Sequence, residues 1–357
     1  MAEFAPAPPL RTEDFDFALP ERLIAQHPVR PRDAARLLLV GGATLGDARV
    51  LDLPGLLRPG DIMVVNDTRV IPARLRARRG AARIGLLLNR NDGEGRWHAL
   101  VRNARRLHPG DVLVIEGAEG CTARVMSAPD QGAVLLDFGP DPAVLARALE
   151  QAGEVPLPPY IARPDGPLPE DAADYQAIFA ARPGAVAAPT ASLHFTPRLL
   201  AALDARGVGR ATLTLHVGAG TFLPVRGDDP RALRLHAEWG EVSEAAAEAI
   251  NGARAAGGRI VAVGTTVLRL LESAAGADRR IMPFRGLTEL FLLPGHRFAS
   301  AELLLTNFHL PRSSLFMLAS AFAGTARMHH AYAHAIAAGY RFYSFGDACL
   351  LEREEAA

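Results

Sequence analysis

The chain has 357 residues, 49% hydrophobic and 22% charged, with a formal net charge of zero. This is the composition of a globular protein, long enough for two cores and not basic overall. All 39 basic residues are arginine, which excludes a Schiff-base lysine and a P-loop. Two distant cysteines, Cys121 and Cys349, exclude a cysteine-held cluster or zinc site and any disulfide framework.

No uncharged apolar run reaches about 18 residues, so no membrane span is expected. Met1 to Leu10 is rich in Pro and Ala and lacks the features of a signal peptide. It reads as a short disordered lead-in to a cytoplasmic protein. Glu21 to Ile24 predicts a short helix, Arg36 to Val40 a strand, and Pro59-Gly60-Asp61 a turn into a buried strand, Ile62 to Val65. Asn66-Asp67-Thr68-Arg69 then ends that strand with four polar residues. Such clusters are ordinary loop chemistry, and also where α/β proteins bind ligands.

From Val70 the texture changes. Short apolar runs at 75–78, 83–88, 97–101, 111–115, 122–126 and 133–136, with a second Pro-Gly-Asp turn at Pro109, predict a small antiparallel barrel. Eleven arginines lie between Arg69 and Arg106 against Asp92 and Glu94 alone, a local excess of plus nine. Arg74, Arg76 and Arg78 alternate with Leu75 and Ala77 and so share one strand face. A stripe of this kind is a polyanion footprint or a solvated face.

Asp141-Pro142 opens a helix that Gly153 closes. Val155 to Ile161 is too rich in proline for helix or inner strand and reads as an extended crossing. Helices are expected over 171–181, 197–206, 243–256, 265–273, 313–322 and 331–338, and strands over 212–216, 259–263, 290–293 and 303–305. Strands alternating with helices outside the all-β insert make the main domain α/β. The domains are thus 1–69 with 153–357, α/β and discontinuous, and 70–152, the inserted barrel with the basic stripe.

Two runs in the main domain carry histidine among glycine and hydroxyl residues. One is Pro183-Gly184 through Pro189-Thr190-Ala191-Ser192-Leu193-His194, the other Leu215-His216-Val217-Gly218-Ala219-Gly220-Thr221. Their glycine turns let backbone approach a ligand closely. Gly264-Thr265-Thr266, between a strand and a helix, suits an anion or carboxylate held on backbone N–H groups.

These motifs, taken together, resemble one family, the S-adenosylmethionine:tRNA ribosyltransferase-isomerases of queuosine biosynthesis. The resemblance rests on Asp14-Phe15-Asp16-Phe17, Gln26-His27-Pro28, Asn66 through Leu75 and Pro156 through Ile161. It continues in Ala187 through Thr196, Leu215 through Phe222, Val263 through Thr266 with Leu271-Glu272-Ser273, Leu305 through Pro311, and Tyr340-Arg341-Phe342. The matches cover nearly the whole chain in the family's order. Three departures are Leu235-His236-Ala237-Glu238, where the family shows Met-His-Ser-Glu, and Ser192 and Leu223, where Gly and a polar or basic residue are common. No role can therefore rest on a hydroxyl at position 237.

The resemblance implies an irregular α/β barrel-like main domain interrupted by a small antiparallel β-barrel. It implies transfer and isomerisation of the ribosyl moiety of S-adenosylmethionine onto 7-aminomethyl-7-deazaguanine at the tRNA wobble position. Epoxyqueuosine forms, and adenine and methionine leave. S-adenosylmethionine is then a consumed co-substrate, with no resident cofactor, no metal and no membrane partner, and the enzyme is expected to be a monomer.

That chemistry asks for a base at the carbon beside the sulfonium, a proton donor for departing adenine and a neutral attacking amine. Imidazole, with a pKa near 6.5, suits either role. The candidate catalytic residues are His194, His216, His236, Asp67 and Glu238. Candidate contacts to S-adenosylmethionine or the modified base are Asn66, Arg69, Thr190, Gly218, Gly220, Thr221, Thr265, Thr266, Asn307 and His309. Arg74, Arg76, Arg78, Arg105 and Arg106 would hold tRNA phosphates with a steep salt dependence, the wobble base being flipped into the main domain.

A methyltransferase would share the donor, but the glycine-rich first loop of a doubly wound sheet is missing. A radical enzyme lacks its cysteine triplet. A non-catalytic RNA-binding module fits the stripe and leaves the histidine motifs without a purpose. A nucleotide-activated ligase is conceivable on chemistry alone.

Overall fold

The computed structural model describes residues 10–42, 44–102, 104–130, 132–218, 227–233 and 235–354. After 3-10 turns at Thr12–Phe15, Glu21–Leu23 and Arg32–Ala34 come a hairpin, β1 (Arg36–Gly41) and β2 (Thr44–Arg49), and a single helical turn, α1 (Leu53–Leu56). β3 (Ile62–Asn66) is buried at every position, and β4 (Thr68–Val70) leads out of it.

Six strands then close into an antiparallel barrel: β5 (Arg74–Arg79), β6 (Ala82–Gly93), β7 (Arg96–Arg102), β8 (Val112–Ile115), β9 (Thr122–Val125) and β10 (Ala133–Asp137). They pair in the order β10-β7-β6-β5-β8-β9. Period-two alternation drives this closure, because Leu75, Ala77, Ala99, Val101, Ala123 and Val125 all turn inward and only a closed sheet buries them together. α2 (Pro142–Ala152) covers the same core with Leu145, Ala148 and Leu149. Asp141 caps it, accepting from the Ala143 N–H at 2.9 Å, and Gly153 ends it.

The return crossing bridges Glu154 to Arg74. After it come α3 (Asp171–Asp174), β11 (Arg182–Ala185), α4 (Pro197–Ala205), β12 (Gly209–Leu215), β13 (Glu238–Val242) and α5 (Glu244–Ala255). The chain finishes with β14 (Ile260–Val263), α6 (Thr265–Ala274), β15 (Phe284–Thr288), β16 (Leu303–Asn307), α7 (Ser314–Ala323), α8 (Thr325–Ala337) and β17 (Ala348–Glu352). The irregular main unit is a nine-stranded mixed sheet in the order β15-β13-β12-β3-β14-β16-β17-β1-β2. The α/β class and the antiparallel barrel are thus as the sequence indicates.

β12, β3, β14 and β16 form a parallel centre. Both of its faces are covered, as parallel sheets require. On β3, Ile62 and Val64 enter one hydrophobic cluster while Met63 and Val65 enter the other. The carboxyl ends of the four strands therefore meet along one edge, bringing together residues 66–68, 215–218, 264–266 and 307–309. Ligand sites of open α/β sheets form at such edges.

Two expected elements take another form. The helix expected over 171–181 stops at Asp174. Asp171 is held by Arg163, and Asp174 by Arg30 and Arg32. Beyond them the Gln176 amide accepts from Val70 N–H and donates to Val70 C=O, which needs an open backbone. The strand expected at 290–293 is irregular, and the edge strand is β15 instead. Leu290 gives its carbonyl to Arg269 and Leu292 is wholly buried, so this stretch is pinned from the side.

Candidate active site

Among the described residues, two cavities open along the carboxyl edge. The smaller, about 70 Å³, has walls from Thr190, Thr265, Thr266, Thr306, Asn307 and His309, with Tyr160 and Tyr343 closing it. Its floor is the turn from β14 into α6, where Gly264 has φ +102° and α6 starts without a side-chain cap. His309 is locked: its Nε2 lies 2.9 Å from Thr306 Oγ1, and its backbone N–H donates to the Tyr332 hydroxyl at 2.8 Å. Burial lowers its pKa to about 3, so the ring is uncharged.

The larger cavity, about 660 Å³, lies between the barrel and the sheet. Asn89, Arg90, Trp97 and Asp141 come from the barrel side, and Gly184, His216, Gly218, His236 and Glu238 from the main unit. His216 stacks on Trp239 with centroids 5.3 Å apart, and its Nδ1 lies 2.8 Å from Thr68 Oγ1. Thr68 also reaches the Arg182 carbonyl at 3.5 Å. A hydroxyl donating there accepts from Nδ1–H, which leaves the lone pair on Nε2. Burial first, and then nearby Arg182, lowers the His216 pKa to about 4. Gly184 makes the ring's seat possible, since a Cβ there would stand 2.8 Å from its Cε1 and Nε2.

The two cavities share a partition. Val217 lines the small one and Gly218 the large one, and on the β11 side Ala187 and Gly184 divide in the same way.

Comparison with known proteins decides what this arrangement belongs to. A family model described as "Queuosine biosynthesis protein" matches residues 12–351. The chain belongs to this family. A relative from Gluconacetobacter diazotrophicus is 63% identical over 345 residues, 96% of this chain and 97% of the relative. Another, from Acidiphilium cryptum, is 58% identical over 340 residues, 95% and 99% of the two chains. Both are named S-adenosylmethionine:tRNA ribosyltransferase-isomerase. The crystal structure of S-adenosylmethionine tRNA ribosyltransferase from Thermotoga maritima is 35% identical, with a TM-score of 0.55. The match covers 94% of this chain and 99% of that one.

Against this family background the candidate residues divide. Thr190, Thr265, Thr266, Asn307 and His309 meet at the small cavity, and His216, Gly218, His236 and Glu238 at the large one. Gly220 and Thr221 lie outside the described residues.

Several candidates have other places. Asn66 is a buried staple between strands. Its Nδ2 donates to Leu215 C=O at 2.9 Å while Oδ1 accepts from Leu215 and Thr68 N–H at 3.1 Å, and it lines neither cavity. Asp67 accepts from Thr214 Oγ1 at 2.6 Å and also lines neither. Arg69 is exposed and donates to Ala180 C=O at 3.3 Å. His194 lies behind the small cavity, its Nε2 3.2 Å from Asn307 Nδ2, and burial lowers its pKa to about 3.

Glu238 has both carboxylate oxygens engaged: Oε1 accepts from Gly218 N–H at 2.9 Å and Oε2 pairs with Arg269 at 2.6 Å. It is an anchor for the cavity wall, and Arg269, absent from the sequence candidates, is its counter-ion. The only local sequence signal is an arginine inside an otherwise apolar stripe of α6.

Arg74, Arg76 and Arg78 do share the outer face of β5. The excess of plus nine is nevertheless reduced by folding. Arg76 pairs with Glu154, Arg78 with Glu116 and Arg79 with Asp111, all acids from beyond the counted segment. Arg74 donates to Leu157 C=O, and Arg105 and Arg106 are exposed on a 3-10 turn.

Proposed function

We propose that this chain is an S-adenosylmethionine:tRNA ribosyltransferase-isomerase. It moves the ribosyl moiety of S-adenosylmethionine onto the aminomethyl group of 7-aminomethyl-7-deazaguanine at the tRNA wobble position, forming epoxyqueuosine and releasing adenine and methionine. The observation that carries this reading is the 63% identity, over nearly the full length of both chains, to a relative of that name.

The geometry supports the chemistry. A cavity of about 660 Å³ is in the range that encloses a nucleoside-sized ligand. His216 presents a neutral imidazole there, able to take the proton that the sulfonium acidifies. With a pKa of about 4, the imidazolium returns that proton readily, and departing adenine needs one. His236, exposed in the same cavity, is placed to keep the attacking amine neutral. The two-sided wall admits a wobble base flipped out of the anticodon stack, with the arginines of β5 and the 104–106 turn along the phosphates. S-adenosylmethionine is consumed, no resident cofactor is required, and one chain suffices. Among the described residues no helix is long and apolar enough to cross a membrane.

The test combines the purified chain, S-adenosylmethionine and an anticodon stem-loop bearing 7-aminomethyl-7-deazaguanine, following adenine release and RNA mass. Equal adenine and methionine, with the mass gain of epoxyqueuosine, is the expected result. S-adenosylhomocysteine with a methyl-sized gain would replace the reading by methyl transfer.

A further inference from the structure

The small cavity contains a polar atom whose partner is missing. Asn307 is 3% exposed, and its Nδ2 donates both to the Tyr343 carbonyl and to His194 Nε2, each at 3.2 Å. A carbonyl can only accept, so Tyr343 fixes the amide orientation. Asn307 lines the cavity, and its Oδ1 is then left buried and, among the described residues, without a hydrogen-bond partner. An unsatisfied buried acceptor costs roughly as much as a lost hydrogen bond, and it marks a place where a donor belongs.

The opposite charge preference lies beside it. β14 and β16 run parallel with Val263 opposite Leu305, and beyond that pair Thr265 and Asn307 line the same cavity. Thr265 begins α6, ten residues long and without a side-chain cap. The first backbone N–H groups of such a helix point at whatever occupies its end and favour a carboxylate. The cavity thus offers an acceptor on one strand end and a nest of donors on the next.

Its remaining walls are uncharged: no Arg, Asp or Glu lines it among the described residues. An isolated anion such as phosphate would find no cation there, and an isolated ammonium no carboxylate. A zwitterion, neutral as a whole, meets both needs. Tyr160 and Tyr343, their ring centroids 4.5 Å apart, add aromatic faces suited to a thioether or a sulfonium.

We propose that the small cavity is an α-amino-acid subsite, with Asn307 Oδ1 accepting from the ammonium and the α6 N-terminus holding the carboxylate. In the reaction above it takes the methionine end of S-adenosylmethionine. The rest of the donor crosses the Val217–Gly218 partition toward His216. The assignment rests on the ribosyltransferase reading only for the identity of the whole donor.

The experiment measures equilibrium binding of three probes to the full chain: L-methionine, 3-(methylthio)propylamine, which lacks the carboxylate, and 4-(methylthio)butanoate, which lacks the ammonium. Each truncated probe should bind at least about tenfold more weakly than methionine, the effect of one charge-assisted hydrogen bond. Asn307→Leu should lose about tenfold for methionine and propylamine and nothing for butanoate, because that probe has no ammonium to miss. No methionine binding, or equal binding of all three probes by the natural chain, overturns the subsite, and this comparison stands even where the variant fails to fold. Loss of all three alike in a folded Asn307→Leu overturns it too, assigning Asn307 to structure. The expected pattern without turnover of S-adenosylmethionine would leave the subsite standing and remove the ribosyltransferase reading. Turnover without the pattern would do the reverse.

Discussion

The Glu238–Arg269 pair gives the sharpest test of how the large cavity is built. The side chains are 6% and 7% exposed, the charges meet at 2.6 Å, Arg269 Nε also holds Leu290 C=O at 3.0 Å, and Nη2 has no partner among the described residues. Arg269→Met removes the cation and leaves a buried carboxylate supported, among the described residues, only by Gly218 N–H, a loss expected to cost about 3–5 kcal/mol. Glu238→Gln with Arg269→Met removes both charges and keeps an acceptor for Gly218, so the double variant should cost less, below about 2 kcal/mol. Urea midpoints at neutral pH measure both. The same double variant separates anchor from base, because an anchor replaced by Gln should leave turnover within about tenfold. Loss of a general base removes about 10²–10⁴. Equal destabilisation by the single and double variants, or a turnover loss beyond a hundredfold in a folded double variant, would refute the anchoring argument.

Two further outcomes follow from the histidines. His194 and His309, both held near pKa 3 by burial, should make the protein acid-sensitive. The folded values lie below the unfolded one of about 6.5, so the unfolded chain binds more protons between pH 6.5 and about 3. Stability is then full above pH 7, falls on acidification through that window, and loses about 2 kcal/mol per histidine by pH 5. Urea midpoints unchanged between pH 7.5 and 5 would contradict this. Gly184→Ala should put its Cβ against the His216 ring at φ +148°, adding about 1–3 kcal/mol of strain. Turnover is expected to fall about tenfold or more while S-adenosylmethionine still binds, and unchanged kinetics would show that the ring's seat is not critical.

Elements governed by nearest neighbours were legible in the amino-acid sequence. The barrel strands follow from period-two alternation, and α2 from Asp141-Pro142 at one end and Gly153 at the other. The motif resemblance placed the family partly on residues that line the cavities, among them Thr190, His216, Thr265, Thr266 and Asn307. The two His-bearing runs, by contrast, look alike as text and fold to opposite fates: His216 faces the large cavity, whereas His194 is buried behind Asn307. Asn66 and Asp67 read as site residues because polar strand ends serve either purpose, and only the arrival of β12 turns their side chains to Leu215 and Thr214.

The arginines of β5 read as free charge because Glu116 and Glu154 lie 38 and 78 residues away from the partners they neutralise. The unpartnered Asn307 Oδ1 has no local signature at all. Alternation, caps and turns depend on residues a few positions apart, so sequence alone determined most of the elements and the family. Burial, charge pairing and the empty side of a hydrogen bond depend on which distant segments arrive beside a residue, and only the tertiary structure decided them.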